Sequence, residues 1–178
     1  EEKHDRKSIK PYFANLTIGA GAVAWSIAHR DLVPANRPAL GGWCTETDTS
    51  HNDLCEGDVS GSDMIMQTDS EELLHAGISV ANRAWRKFLS LHQWTPVSPE
   101  LVITHQVGKA HSQAVLRSLN IDPSLDYSTY ETLGNCGSVS LPITYTMACE
   151  DNPERLNCRT ALLGIGSGLS SLMLSINP

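Results

Sequence analysis

The chain has no excess of positive charge, no long apolar run, no paired-cysteine motif and no Pro- or Gly-rich linker. Each shortage removes a class of function. Against 20 Asp and Glu stand only 13 Lys and Arg, a net charge of -7, with a pI near 5.4. Binding nucleic acid or an anionic membrane surface requires a concentrated Lys/Arg field, so neither partner is expected. No apolar stretch approaches the ~20 residues that span a bilayer, and the opening run Glu1-Glu2-Lys3-His4-Asp5-Arg6-Lys7 contains no hydrophobic signal segment. A cytoplasmic location is expected, and the sequon Asn15-Leu16-Thr17 is then accidental. The 5 cysteines are odd in number and show no CxxC spacing, which fits reduced thiols better than a disulfide framework. His51 with Cys55, and His105 with His111, offer only two metal ligands each, fewer than a zinc site uses, so no metal is expected. With 178 residues at 40% hydrophobic content, no linker and no internal repeat, one buried core in one domain is the default.

What is present has a readable order. Residues 1–13 form a charged lead-in, and 14–178 the folded domain. The β-branched and aromatic mixture Ala22 to His29 predicts a strand, with Gly19 and Gly21 allowing close backbone packing. A second strand is predicted over Ala39 to Thr47, and a long loop over Asp48 to Asp63. The clearest element is a helix from about Asp69 to His92. Thr68 and Glu71 make a candidate capping box, and Leu74, Ile78, Ala81, Trp85, Phe88 and Leu89 recur on one face. Leu101-Val102-Ile103-Thr104 predicts a strand covered on both faces. A helix follows from about Lys109 to Leu119, then an irregular stretch from Pro123 to Tyr130. A third helix starts near Ser138, with Pro142 tolerated in its first turn because those N–H groups lack intrahelical acceptors. Thr160 to Ile165 and Leu169 to Ile176, joined around Gly166-Ser167-Gly168, predict a tight antiparallel hairpin. The coarse order is β-β-α-β-α-β-β, an α/β fold with helices covering a mixed sheet.

Two motifs carry chemistry. In Leu101-Val102-Ile103-Thr104-His105-Gln106-Val107-Gly108-Lys109 an apolar run ends in a polar switch. In Leu133-Gly134-Asn135-Cys136-Gly137-Ser138-Val139-Ser140-Leu141-Pro142 a glycine-rich turn runs into a helix, where donors can converge on a small anion. A neutral imidazole and a carboxamide N–H₂ both donate to a developing oxyanion. Residues at the ends of neighbouring strands in an α/β sheet meet in one crevice however far apart they are in sequence. Taken singly, a histidine after a strand usually serves the fold, and Gly-Asn-x-Gly is common in turns. Their joint order is what points to a site.

Together the two motifs resemble the His-Gln and Gly-Asn-x-Gly/Ser-Ser motifs of thiolase-fold condensing enzymes of the 3-oxoacyl-(acyl carrier protein) synthase III type, in its C-terminal half. Gly19-Ala20-Gly21-Ala22-Val23 is similar to the family's glycine/alanine strand. Leu163-Gly164-Ile165-Gly166-Ser167-Gly168-Leu169-Ser170 is similar to its terminal hairpin. His51-Asn52-Asp53-Leu54-Cys55 with Met66-Gln67-Thr68-Asp69-Ser70-Glu71-Glu72-Leu73-Leu74 looks closest to the branch that joins two long-chain acyl thioesters head to head. The resemblance implies one half of a thiolase-like fold and a role in Claisen condensation for lipid synthesis. It implies His105 and Asn135 as catalytic oxyanion donors, with Gln106, Gly108, Lys109, Gly134, Gly137 and Ser138 around the substrate. Acyl-CoA or acyl carrier protein thioesters would be the substrates, without a cofactor. The family's nucleophilic cysteine belongs to an N-terminal half that nothing here resembles. The expected partners are therefore that half, in the same enzyme or as a separate subunit, and further copies in a homo-oligomer. Cys136 holds the variable position of its motif and reads as a small packed thiol; Cys44, Cys55, Cys149 and Cys158 have no motif. Two positions depart from the family: Gly108 stands where it has Asn, and Ala110 where it often has Arg. A non-catalytic thiolase-like assembly domain is the alternative.

Overall fold

The computed structural model describes the backbone of residues 13–60 and 63–178, and the side chains of 15–55 and 68–178. Most of the charged lead-in therefore lies outside the described residues. The elements are α1 (Phe13–Thr17), β1 (Ala39–Thr47), β2 (Cys55–Ser60), β3 (Asp63–Thr68), α2 (Ser70–His92), β4 (Leu101–Thr104), α3 (Lys109–Ser118), α4 (Tyr130–Leu133), α5 (Ser140–Asp151), β5 (Thr160–Gly166) and β6 (Ser170–Asn177). Four strands form one mixed sheet in the order β1-β6-β5-β4, in which only the β4/β5 pair is parallel.

Side chains alternate across this sheet, so each strand feeds two cores. Val102, Ala161, Leu163 and Met173 face α2 and α3, packing on Ala81, Ala84, Trp85, Phe88, Val115 and Leu116. Leu101, Ile103, Leu162 and Ile176 face the other way, onto Tyr145 and Ala148 of α5. The result is a helix–sheet–helix sandwich, and β4 is buried at all four positions as its unbroken apolar run requires. The β5–β6 hairpin forms as expected, turning through Ser167-Gly168-Leu169 with Gly168 at φ +102°.

Three expectations need correction. The strand over Ala22 to His29 is absent: residues 20–29 join no strand ladder, and the nearest pairing is the isolated parallel bridge of Ile18 to Asn135. Strand propensity needs a neighbour to complete a ladder, and these described residues offer none there. The loop over Asp48 to Asp63 instead contains a 3₁₀ turn (Thr49–Leu54) and then β2, which pairs antiparallel with β3. The cap of α2 is Asp69, whose carboxylate accepts from the N–H groups of Glu71 (3.2 Å) and Glu72 (3.1 Å), rather than the Thr68/Glu71 box. A carboxylate at the helix N-terminus also meets the positive end of the dipole, so it outcompetes the neighbouring threonine. The order consequently gains a hairpin before α2 and the short α4, while α5 is the helix expected from about Ser138.

Candidate active site

β4 ends at Thr104, and the next residue, His105, leaves the sheet toward a cavity of about 440 Å³. The turn carrying Asn135 reaches the same cavity from the far side of the motif, and both residues line it. Thus the structure brings together the two side chains that the sequence placed 30 positions apart. Leu73, Leu74, Val107, Ile165 and Leu169 supply apolar wall. A mostly apolar cavity with few convergent polar groups is the usual form of a small-ligand site, and exclusion of water strengthens each hydrogen bond inside it.

Asn135 is held at three atoms. Its backbone N–H donates to the Thr17 carbonyl (2.8 Å), and its carbonyl accepts from Gly19 N–H (2.9 Å). Its Oδ1 accepts from Gly137 N–H at 3.0 Å. A backbone N–H can only donate, so this bond selects the amide oxygen and fixes which end of the carboxamide is which. The Nδ2 donor has no partner among the described residues and remains available to a ligand. Gly134 makes the latch possible. It takes φ +67°, and a Cβ there would lie 2.6 Å from the Thr17 carbonyl oxygen. Gly137, at φ +61°, also lines the cavity.

The His105 ring nitrogens likewise bond to no other described residue. Burial, and secondarily the neighbouring His111, lower its pKa from 6.5 to about 4. At neutral pH the ring is uncharged, with one N–H donor and one lone pair. The cavity wall thus carries two kinds of uncharged N–H donor, an imidazole and a carboxamide.

The other expected residues divide. Gln106 is fully buried and faces inward: Nε2 donates to the Thr104 carbonyl (2.6 Å), while Oε1 accepts from the N–H groups of Thr129 (2.7 Å) and Tyr130 (3.1 Å). It frames the site from behind instead of lining it. Lys109 and Ser138 are exposed and, like Gly108 and Gly134, do not line the cavity. The Cys136 thiol donates to the Leu133 carbonyl and sits beneath Gly19, away from the cavity. Sequence reasoning missed Cys55 and His111, both in the cavity wall. The signal for His111 was its place in the first turn of α3, which starts four residues beyond His105 at Lys109. Among the described residues no group of three or more His, Cys, Asp or Glu could hold a metal ion, and no helix is long and apolar enough to cross a membrane.

Comparison with known proteins places this geometry. Residues 89–176 match the C-terminal domain of 3-oxoacyl-(acyl-carrier-protein) synthase III. An acyl-CoA:acyl-CoA alkyltransferase of Shewanella oneidensis is 37% identical over 170 residues, covering 92% of this chain. The chain belongs to the thiolase-like condensing enzymes. Within that family it also resembles the acyl-CoA:acyl-CoA alkyltransferase of Xanthomonas campestris, at 34% identity over 92% of the chain. Crystal structures agree. Xanthomonas campestris OleA with bound lauric acid and lauroyl-CoA superposes with a TM-score of 0.89 at 30% identity, over 100% of this chain and 51% of that one. The synthase III, FabH, of Xanthomonas oryzae gives 0.77 at 32% identity, over 85% of this chain and 43% of that one. The condensing-enzyme chain spans about half the length of the curated relatives it matches, 49% and 47% of theirs. Its sheet and helices correspond to the C-terminal half of that fold.

Proposed function

We propose that this chain supplies the enolate-binding half of a cytoplasmic condensing enzyme that joins two acyl thioesters by Claisen condensation. The acyl group is carried on a cysteine from outside these 178 residues, in an N-terminal half of the same enzyme or in a separate subunit. The second thioester, on coenzyme A or an acyl carrier protein, becomes nucleophilic by losing a Cα proton or a carboxyl group as CO₂. The electron pair left behind spreads onto its thioester oxygen, where His105 and Asn135 donate. The carbanion then attacks the acyl carbonyl, a carbon–carbon bond forms, the cysteine C–S bond breaks and the departing thiolate is protonated, by way of solvent, with the proton lost from Cα or, after loss of CO₂, with one from water. No cofactor enters, and the working form is a homo-oligomer of complete enzymes. The observation that carries this reading is the shared cavity, with the Asn135 oxygen tied back by Gly137 so that its N–H₂ is the free end.

A split assay in the complete assembly tests it, with acyl-enzyme formation followed by mass and condensation by product release. His105→Ala and Asn135→Ala should each leave acylation largely intact and lower condensation by about two to three powers of ten. Losses in the double variant should be sub-additive, since both donors serve one oxygen. Parent-rate condensation by either variant would remove that residue from the mechanism, and would favour a non-catalytic assembly domain if both behaved so.

A further inference from the structure

Asp126 is an acidic side chain drawn into the fold that the proposed chemistry leaves unused. Burial pushes its carboxyl up, and no cation pairs with it among the described residues. Three hydrogen-bond donors meet it instead. Oδ1 accepts from the N–H and the hydroxyl of Thr104, each at 3.2 Å, and Oδ2 accepts from the Ser112 hydroxyl at 3.0 Å. Thr104 and Ser112 are both buried, and their hydroxyls lie 3.0 Å apart. A carboxylate is tolerated away from water when its lone pairs are filled in this way.

The three bonds sit where β4 ends. β4 is the outer strand of the sheet, so one of its edges has no strand beside it. Asp126 begins to cover that edge: it forms an isolated parallel bridge with Val102, and Tyr127 N–H donates to the Val102 carbonyl at 3.0 Å. In a regular parallel ladder the Thr104 N–H would next donate to the Tyr127 carbonyl. Here the Asp126 carboxylate takes that N–H, and the backbone is released to turn toward Thr129 and Asn135. The Thr104 carbonyl accepts from Gln106 Nε2 at 2.6 Å. The last residue of β4 is therefore held through its N–H, its carbonyl and its hydroxyl. The next residue is His105, whose ring bonds to no other described residue, so the imidazole inherits its placement from this anchor.

We propose that Asp126 is a positioning residue for His105: its carboxylate replaces a rung of the sheet ladder, ties it to the first turn of α3 through Ser112, and so fixes where the imidazole enters the cavity. This rests on the proposed function above. Asp126 does not line the cavity, so it acts through Thr104 and touches no substrate. Without it, a buried N–H at the strand end loses its acceptor and the end of β4 is free to fray. A donor that serves a developing oxyanion works by being in place beforehand, so a small displacement of His105 is felt in the chemical step more than in binding.

The test uses this chain and the complete assembly. In the chain, the Thr104 amide should exchange with solvent about tenfold faster in Asp126→Ala, relative to the other β4 amides. Unchanged exchange overturns the proposal. In the assembly, Asp126→Ala should lower kcat for condensation about tenfold with KM little changed, while acylation proceeds as in the parent. Asp126→Asn keeps an oxygen for Thr104 and presents an amide to the Ser112 hydroxyl, which can accept, and should restore most of kcat. An asparagine variant as slow as the alanine one would make charge, not placement, the source of the effect and overturns the positioning role. Should Asp126→Ala fail to fold, Ser112→Ala unhooks the carboxylate from α3 and leaves both Thr104 bonds; it too should lower kcat, by a smaller factor. Reduced stability with parent kcat in these variants is what a merely structural clamp gives, and it also overturns the proposal. Failure of the proposed function is separately visible: His105→Ala would then condense at the parent rate whatever Asp126 does.

Discussion

Gln106 accepts the Thr129 N–H at 2.7 Å through its Oε1, and so joins the residue after His105 to the cap of the helix that leads to Asn135. This buried amide ties the segment carrying His105 to the one that leads to Asn135.

Gln106→Ala should destabilise the chain by about 3 kcal/mol, because it strands two backbone N–H groups and one carbonyl and opens a void. Urea unfolding followed by circular dichroism measures it. A loss under about 1 kcal/mol would mean that water replaces the amide without penalty.

Two glycines of the Asn135 turn should respond differently to alanine. Gly134→Ala places a Cβ 2.6 Å from the Thr17 carbonyl at φ +67° and ψ -160°, a region essentially restricted to glycine. It should cost about 3 kcal/mol. Gly137→Ala meets no atom within 4 Å and should cost only the left-handed backbone penalty of about 1 kcal/mol. Equal effects, by thermal or chemical unfolding, would show that the latch to Thr17 does not constrain the turn.

Stability should fall with acid through His105. Its folded pKa, about 4, lies below its unfolded 6.5, so the unfolded state binds the proton first. The contribution is fully present above pH 6.5 and is lost as pH falls toward 4, on the order of 3 kcal/mol at full extent. His111, lowered by burial, adds in the same direction. Asp126, raised by burial, opposes it in the carboxylate range. His105→Gln should flatten the unfolding free energy between pH 6.5 and 4; an unaltered slope would contradict the neutral imidazole.

The isolated chain incubated with acyl-CoA should acquire no stoichiometric adduct by intact mass. Cys136 is turned onto the Leu133 carbonyl, and Cys55, though in the cavity wall, is kept protonated by burial. A thiol held protonated is a poor nucleophile. An adduct abolished by Cys136→Ser would make that cysteine the acyl carrier.

The elements legible in the sequence were those whose signal is local. The four-residue apolar run of β4, the stripe through Ala81, Trp85 and Phe88, and the Gly-Ser-Gly turn of the hairpin each specify themselves. Ala22 to His29 failed because a strand is a relation between two segments, and propensity reports only one of them. The β2–β3 hairpin was hidden by Asp, Ser and Gly, which read as loop although their backbone pairs. In the site, His105 and Asn135 were legible from motif order. The direction in which Gln106 faces was not, since an amide beside a catalytic residue serves a ligand or the backbone equally well until its partners are known. His111 and Cys55 were read only as incomplete metal pairs, because their place in the cavity wall depends on how α3 and β2 pack.

The bridge between Ile18 and Asn135 bears on how this chain tolerates changes of length. Because the asparagine's own N–H and carbonyl are both engaged by residues 17 and 19, one residue added or deleted between Thr17 and Gly19 would re-index the partner of Asn135 and turn its side chain away. The unpaired stretch beyond, 20–29, transmits no such register. Insertions and deletions among relatives should accordingly gather there and spare positions 17–19.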